Sequence, residues 1–177
     1  MKSTLGGAVI AFWLLVPNLT GGAAKAANPV GPVLSSNIDG SIRAALRRSS
    51  VAVLLPASIP RSVGPIRTIT VIEAGRTGYY VGYSAVRNCS GGLSCTFFHV
   101  AGFPSALRDP LDRRDRPVRL ADGQRARFRP RNCTGASCTE ASLSFERAGA
   151  VYEIDVKAER NDLAVLEAAY RQMRPVR

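Results

Sequence analysis

The chain has 177 residues, of which 46% are hydrophobic and 21% charged, and 24 Lys and Arg residues against 13 Asp and Glu residues give a formal net charge of +11. This composition is typical of a globular protein, which excludes a disordered tail and a membrane protein with many spans. The length favours one domain.

The first 26 residues have the organisation of a secretory signal peptide. A basic start, Met1-Lys2, precedes a thirteen-residue apolar stretch from Leu5 to Pro17, which is too short to span a bilayer. The following Ala24-Lys25-Ala26 matches an A-x-A cleavage pattern. We therefore predict a 1–26 signal peptide and a single periplasmic or secreted domain, 27–177, with a net charge of +9 and no transmembrane segment. An uncleaved anchor is the alternative, although no basic stop-transfer cluster follows.

Four elements are predicted ahead of the first cysteine. Residues 41–48 carry apolar side chains on one helical face and basic residues in the last turn, which is typical of a short helix. Residues 51–55 are predicted to be extended. Residues 67–73 and 78–86 are predicted to form two strands joined by a glycine-containing turn.

The four cysteines form two local pairs, Cys89 with Cys95 and Cys133 with Cys138, inside segments of similar sequence. Each pair has Gly between its members and strand-forming residues on both sides, which is typical of a hairpin. In an exported protein this arrangement favours one disulfide within each hairpin. Pairing across the hairpins remains an alternative, as does a Cys₄ zinc site, although the C-x₅-C and C-x₄-C spacings disfavour zinc.

The second cysteine pair predicts a strand register that separates polar from apolar side chains. With Cys133 opposite Cys138, the register gives six cross-strand pairs: Arg131 with Glu140, Arg129 with Ser142, Arg127 with Ser144, Arg125 with Glu146, Phe128 with Leu143, and Ala126 with Phe145. A two-residue turn at Ala148-Gly149 then predicts three core pairs with the next strand: Phe145 with Tyr152, Leu143 with Ile154, and Ala141 with Val156.

The polar face of this meander carries four arginines that resemble a ladder for an anionic polymer or nucleic acid: Arg125, Arg127, Arg129 and Arg131. The same register places Asp155 and Glu153 in their cross-strand rows. A solvated, cross-paired surface is therefore the preferred interpretation, and a binding stripe is the alternative.

The first hairpin has no clearly polar face. With Cys89 opposite Cys95, Val86 faces Phe98 and Ser84 faces Val100. The other face carries aromatic, cationic and imidazole side chains: Tyr79, Tyr83, Arg87, Phe97 and His99. Core packing would explain this face, and a small-molecule or glycan patch is the functional alternative.

Two features complete the chain. Residues 102–117 are the longest irregular stretch and are predicted to be a loop, which is a candidate for docking a partner. A C-terminal helix begins near Asp162, with an apolar stripe that would cover a sheet face: Leu163, Leu166, Tyr170 and Met173.

No constellation of catalytic residues is evident. His99 is the only histidine, and neither a nucleophile elbow nor a phosphate- or dinucleotide-binding motif is present. Glu153 and Asp155 lie near arginines that would lower the pKa of each carboxyl, which makes them poor general acids. We predict no catalytic residue, no metal and no cofactor, with a periplasmic hydrolase using His99 as the alternative.

Several segments resemble an uncharacterised family of exported bacterial proteins, which is more distantly similar to extracytoplasmic sensor domains of anti-sigma-like membrane proteins. Gly123, Ala126 and Phe128 fit a G-x-x-A-x-F strand motif of that family, and Phe145 replaces the Trp of its L-x-W-x-x-x-G-x-x-Y hairpin. The resemblance covers most of residues 27–177. It implies a bacterial periplasmic address and a similar fold, and its motifs include no catalytic position.

The sequence thus predicts an α+β fold, in which an antiparallel, meander-rich sheet of about six to eight strands carries an N-terminal and a C-terminal helix packed on one face. Two hairpins are closed by disulfides. The predicted function is non-enzymatic binding of a partner protein or an anionic envelope polymer, and nucleic acid is disfavoured.

Overall fold

The computed structural model describes residues 38, 40–91, 94–107, 114–135, 137–157 and 162–176. The predicted signal peptide lies outside these residues. Two α-helices and eleven strands are described, in chain order: α1 Gly40–Leu46, β1 Leu54–Pro56, β2 Thr68–Gly75, β3 Gly78–Ser84, β4 Thr96–Pro104, β5 Arg116–Arg119, β6 Arg125–Arg129, β7 Asn132–Thr134, β8 Ser137–Thr139, β9 Ala141–Arg147, β10 Ala150–Val156, α2 Asp162–Arg171 and β11 Met173–Pro175. Two short 3₁₀ helices, Arg61–Val63 and Ser105–Leu107, lie between strands. No helix in this part of the chain is long and apolar enough to cross a membrane.

Seven strands form one sheet in the order β2-β3-β4-β10-β9-β6-β5, and every neighbouring pair is antiparallel. The strand number and direction agree with the sequence prediction. Two meanders, β2-β3-β4 and β5-β6-β9-β10, meet where β4 pairs with β10. Two small sheets lie apart from it: β1 pairs with β11, and β7 with β8.

The predicted register of the second meander is confirmed. Cys133 lies opposite Cys138, and seven of the nine other predicted pairs occur, from Arg129 opposite Ser142 to Ala141 opposite Val156. The two remaining pairs, Arg125 with Glu146 and Arg131 with Glu140, are not among the paired residues of these strands. Ala148 and Gly149 have φ values of 50° and 76° in the connecting turn. Two successive positive φ angles are those of a type I′ turn, whose twist matches that of the strands it joins.

The predicted register of the first hairpin is wrong. Tyr83 lies opposite Phe98, whereas the next residue along β3, Ser84, lies opposite Thr96. Phe97 is therefore an extra residue in β4, which is a β-bulge. The pairing is shifted by an odd number of residues from the prediction, and such a shift exchanges the two faces of one strand relative to its partner.

One face of the seven-stranded sheet forms the hydrophobic core. Tyr83, Phe98 and Ile154 are fully buried there, and Leu46 of α1 and Leu166 of α2 belong to the same hydrophobic cluster. We call the opposite face, which carries His99, Ser142, Glu153 and Asp155, the outer face.

Three boundaries differ from the prediction. The helix α2 ends at Arg171, and Met173 of the predicted stripe lies instead in β11, opposite Pro56. The backbone N–H of Ala57 donates to Gln172 O at 2.8 Å, which fixes the chain at this change of direction. The predicted loop is shorter than expected, because residues 102–104 continue β4 and residues 116–117 begin β5; residues 108–113 lie outside the described part.

Candidate functional site

The pairing of β4 with β10 assembles the polar centre of the outer face. His99, Asp155, Ser142 and Arg129 form one row across four neighbouring strands, β4, β10, β9 and β6. Glu153 occupies the adjacent row on β10, because side chains two residues apart share a face of a strand. The site thus joins residues from both meanders, which are distant in sequence.

The imidazole of His99 is fully buried, and both of its nitrogens have partners. Nδ1 lies 2.9 Å from Glu140 Oε2, and Nε2 lies 2.7 Å from Thr96 Oγ1. In a regular strand, side chains three residues apart point to opposite faces. The bulge at Phe97 removes this obstacle and places the Thr96 hydroxyl beside His99.

Glu140 directly precedes β9 and links His99 to Lys157. Its Oε1 lies 3.4 Å from Lys157 Nζ, and the same ammonium donates to Thr96 O at 2.8 Å. Burial acts to raise the pKa of Glu140, but the hydrogen bond from His99 and the charge of Lys157 outweigh it and hold that pKa below its usual value. Glu140 is therefore an ionised acceptor, and His99 Nδ1 is the donor.

Asp155 corrects the expectation that nearby arginines lower the pKa of both β10 carboxyls. Burial, followed by repulsion from Glu153 and Glu140, raises the pKa of Asp155 well above its usual value, although Arg129 acts in the opposite direction. Arg129 is engaged elsewhere, because its Nε lies 2.9 Å from Asp115 Oδ1. The neighbouring Glu153 accepts a hydrogen bond from the Ser142 hydroxyl.

Tyr80 covers the cluster from β3. Its ring stacks on the His99 imidazole, with centroids 5.1 Å apart and an interplanar angle of 19°. Burial, and then the nearby carboxylates of Asp155 and Glu140, raise the pKa of the Tyr80 hydroxyl. The phenol is therefore neutral and is available as a hydrogen-bond donor.

A cavity of about 400 Å³ opens on the outer face next to this cluster. Its lining combines apolar surface with charged groups, including Tyr80, Phe103, Glu73, Asp115, Arg129 and Glu153. The volume lies within the range of small-molecule sites, roughly 300–1,000 Å³. Carboxylates outnumber the guanidinium in this lining, whereas the whole chain is strongly basic.

Among the described residues, His99, Glu140 and Asp155 are grouped so that a metal ion could be held. One donor atom from each of them lies within 4.8 Å of the others. This grouping was not predicted from the sequence, which offered a single histidine and no metal-binding motif.

The five aromatic-patch candidates of the first hairpin are not brought together. Tyr79 and Tyr83 are buried on the core face, where the Tyr79 hydroxyl donates to Leu54 O at 2.7 Å. His99 lies on the outer face, Phe97 occupies the bulge, and Arg87 is exposed beyond the end of β3. The odd register shift is the reason, since it separates side chains that the prediction had placed side by side.

The arginine candidates do share the outer face. Arg129 lines the 400 Å³ cavity and pairs with Asp115, whereas Arg125 and Arg127 line an adjacent depression that also contains Glu146. Acids therefore lie beside these arginines, but Asp115, the partner of Arg129, is not one of the acids that the predicted register placed in these rows. The sequence reasoning did not find Tyr80, Glu140 or Asp115 as site residues, although Glu140 was recognisable as the residue after the Cys138 strand.

Both local disulfides, Cys89–Cys95 and Cys133–Cys138, are formed, and no cysteine of the chain is free. This excludes the Cys₄ zinc site and the cross-hairpin pairings. Comparison of the chain with protein families, with curated proteins and with solved structures finds no match.

Proposed function

We propose that this chain is a non-enzymatic protein of the periplasm or the extracellular space that binds an envelope component or a partner protein through its outer face. The observation that carries the proposal is the cavity of about 400 Å³ beside Tyr80. It offers apolar surface together with a few convergent polar groups, which is the usual composition of a binding site.

The charges in the cavity indicate the kind of ligand. Glu73, Asp115 and Glu153 contribute carboxylates, and Arg129, already paired with Asp115, contributes a guanidinium. Such a lining accepts hydrogen bonds from hydroxyl and amino groups and repels anionic polymers. A cell-wall glycan fragment that carries hydroxyls and a peptide amine fits this chemistry better than a nucleic acid or an anionic envelope polymer.

The envelope address rests on the predicted signal peptide and on the resemblance to exported bacterial proteins. Two disulfides are compatible with that address, because disulfides persist in oxidising compartments. In the second meander, cross-strand acids reduce the positive field of the arginines, which disfavours nucleic acid as the partner.

A titration with soluble muropeptides, followed by calorimetry and NMR, tests this function. We expect Arg129→Gln and Glu153→Gln each to lower affinity by at least about tenfold, which corresponds to about 1.4 kcal/mol for a lost polar contact to the ligand. Arg125→Gln is the matched control, because Arg125 lies on the same strand outside this cavity, and it should bind normally.

A partner protein is tested in parallel by cross-linking in envelope extracts. The proposal is wrong if two results are obtained together. The protein binds no muropeptide, and no envelope protein is captured less by the Arg129→Gln variant than by the wild type. Conversion of a muropeptide by the wild type, with loss of turnover in His99→Ala, would instead establish the hydrolase alternative.

A further inference from the structure

We propose that His99, Glu140 and Asp155 form a binding site for a divalent transition-metal ion such as Zn²⁺, with His99 Nδ1 and one oxygen of each carboxylate as ligands. One ring nitrogen of His99 and one oxygen of each carboxylate lie within 4.8 Å of one another, and Nδ1 is 2.9 Å from Glu140 Oε2. In a tetrahedral zinc site with bonds of about 2.1 Å, ligand atoms lie about 3.4 Å apart. Small side-chain movements therefore suffice to enclose an ion, and a water molecule can complete the coordination.

The carboxylates around the site create repulsion that a cation would relieve. Asp155 has one carboxylate oxygen within 4.8 Å of an oxygen of Glu140, and Glu153 lies two residues away on the same face of β10. Lys157 approaches Oε1 of Glu140 and leaves Oε2, the atom that faces His99, for the metal. A divalent ion between Glu140 and Asp155 replaces their mutual repulsion by attraction to a shared charge.

The surroundings of His99 suit a metal ligand. Thr96 Oγ1 lies 2.7 Å from Nε2, and a hydroxyl can accept as well as donate a hydrogen bond. When the metal takes the Nδ1 lone pair, the ring proton is carried by Nε2 and is donated to Thr96 Oγ1. Histidine ligands of metals are commonly oriented by such a bond from the second nitrogen.

The ligand set also indicates which ion binds. An imidazole nitrogen with two carboxylates suits Zn²⁺ and other borderline transition metals, whereas Ca²⁺ prefers six or more oxygen ligands. The partly exposed side chains of Glu140 and Lys157, 18% and 34% accessible, give the ion a route from solvent to the buried imidazole.

The test is a titration of the tag-free, chelator-treated chain with Zn²⁺ alone, with Ca²⁺ as the comparison. Because His99 is the only histidine and no thiol is free, the chain offers one imidazole and no thiolate to the metal. We expect one Zn²⁺ per chain, no comparable Ca²⁺ binding, and a shift of the ¹⁵N resonances of the single imidazole.

Isosteric variants show whether these ligands hold the ion. Glu140→Gln and Asp155→Asn should each weaken Zn²⁺ binding by about 100-fold or more. Loss of a residue that only hydrogen-bonds a metal ligand already lowers metal affinity by roughly 10–100-fold. Thr96→Val should weaken it less, and Glu146→Gln, an exposed acid at the other end of β9, should not change it. Near-ultraviolet circular dichroism confirms folding, and Glu140→Gln, at the more exposed ligand, serves if Asp155→Asn does not fold.

The proposal is overturned if the wild type binds no Zn²⁺, if Zn²⁺ leaves the His99 resonances unchanged, or if Glu140→Gln and Glu146→Gln bind it equally. These outcomes are independent of muropeptide binding, because the cavity and the metal ligands are probed by different variants.

Discussion

The two cysteine loops have similar sequences but occupy different positions in the fold. Cys133 and Cys138 lie opposite each other in a regular two-stranded sheet that is exposed and separate from the main sheet. Cys89 is 5% exposed, and its loop joins β3 to β4 within the main sheet. Each disulfide closes a loop of similar size, with sequence separations of 5 and 6, so the difference lies in what surrounds the loops.

The difference shows that a short disulfide determines where a hairpin closes but not how its strands pair. The ladder is interrupted at Arg131 and Glu140 after the second hairpin, but β6 and β9 pair beyond the break in the same register as Cys133 and Cys138, so that register follows from the cysteines. The first contains an extra residue, Phe97, and its strands pair differently from the cysteine-based prediction. That irregularity brings Thr96 to His99, so the candidate site depends on the loop that departs from the simple pattern.

The largest expected difference between the two loops is the loss of stability when each disulfide is removed. The Cys89→Ser/Cys95→Ser variant should lose about 2 kcal/mol in free energy of unfolding, the chain-entropy value for a loop of this size. The Cys133→Ser/Cys138→Ser variant should lose less than about 1 kcal/mol, because its exposed hairpin can open while the main sheet stays folded and so gains entropy in the native state as well. Urea denaturation of both variants measures these values.

A matched slope of the two urea transitions is the control, because a changed slope would mean that the surface exposed on unfolding had changed. Equal losses in the two variants would contradict the idea that the first loop is integrated into the sheet and the second is not.

The corresponding glycines of the two loops provide a second contrast. Gly91 and Gly135 both have positive φ, 92° and 60°, so alanine at either position should cost about 1 kcal/mol. A Cβ on Gly91 would also lie 2.7 Å from Ile72 Cγ1, whereas nothing surrounds a Cβ on Gly135. We expect Gly91→Ala to be more destabilising than Gly135→Ala by about 1 kcal/mol, a value at the lower end for overpacking.

Thermal unfolding of these two single variants measures the difference. A loss that is the same for both would show that the Gly91 loop can move away from Ile72 without cost and is not held against β2.

Sequence reasoning succeeded where contacts are local and alternation is strict. Tyr152 opposite Phe145 and the turn at Ala148-Gly149 follow from residues a few positions apart. The pairing of β4 with β10 is between segments about fifty residues apart, and no cysteine or turn specifies it. Since His99 meets Asp155 only through that pairing, the candidate site was not recognisable from the sequence.

The β-bulge at Phe97 also explains why the buried side chains of β3 were not predicted. The cysteine-based register predicts the alternating tyrosines of β3 on one face with His99, yet Tyr83 is fully buried among core residues and His99 lies on the opposite face. One inserted residue changes which side chains of two paired strands share a face. When both faces of a strand are apolar, the sequence pattern does not reveal that change.

The smallest contrast concerns the hydrogen bonds that hold each loop. The Thr70 hydroxyl donates to Cys89 O at 3.0 Å in a partly buried setting, whereas the exposed Thr139 hydroxyl donates to Asn132 O at 3.3 Å. Thr70→Val should cost about 1 kcal/mol, because the Cys89 carbonyl loses a partner away from solvent, and Thr139→Val only a few tenths, because water replaces the donor. Amide hydrogen exchange around Cys89 should accelerate in Thr70→Val. If exchange there stays unchanged, the hydrogen bond from Thr70 does not hold the first loop against β2. The disulfide alone must then keep that loop ordered.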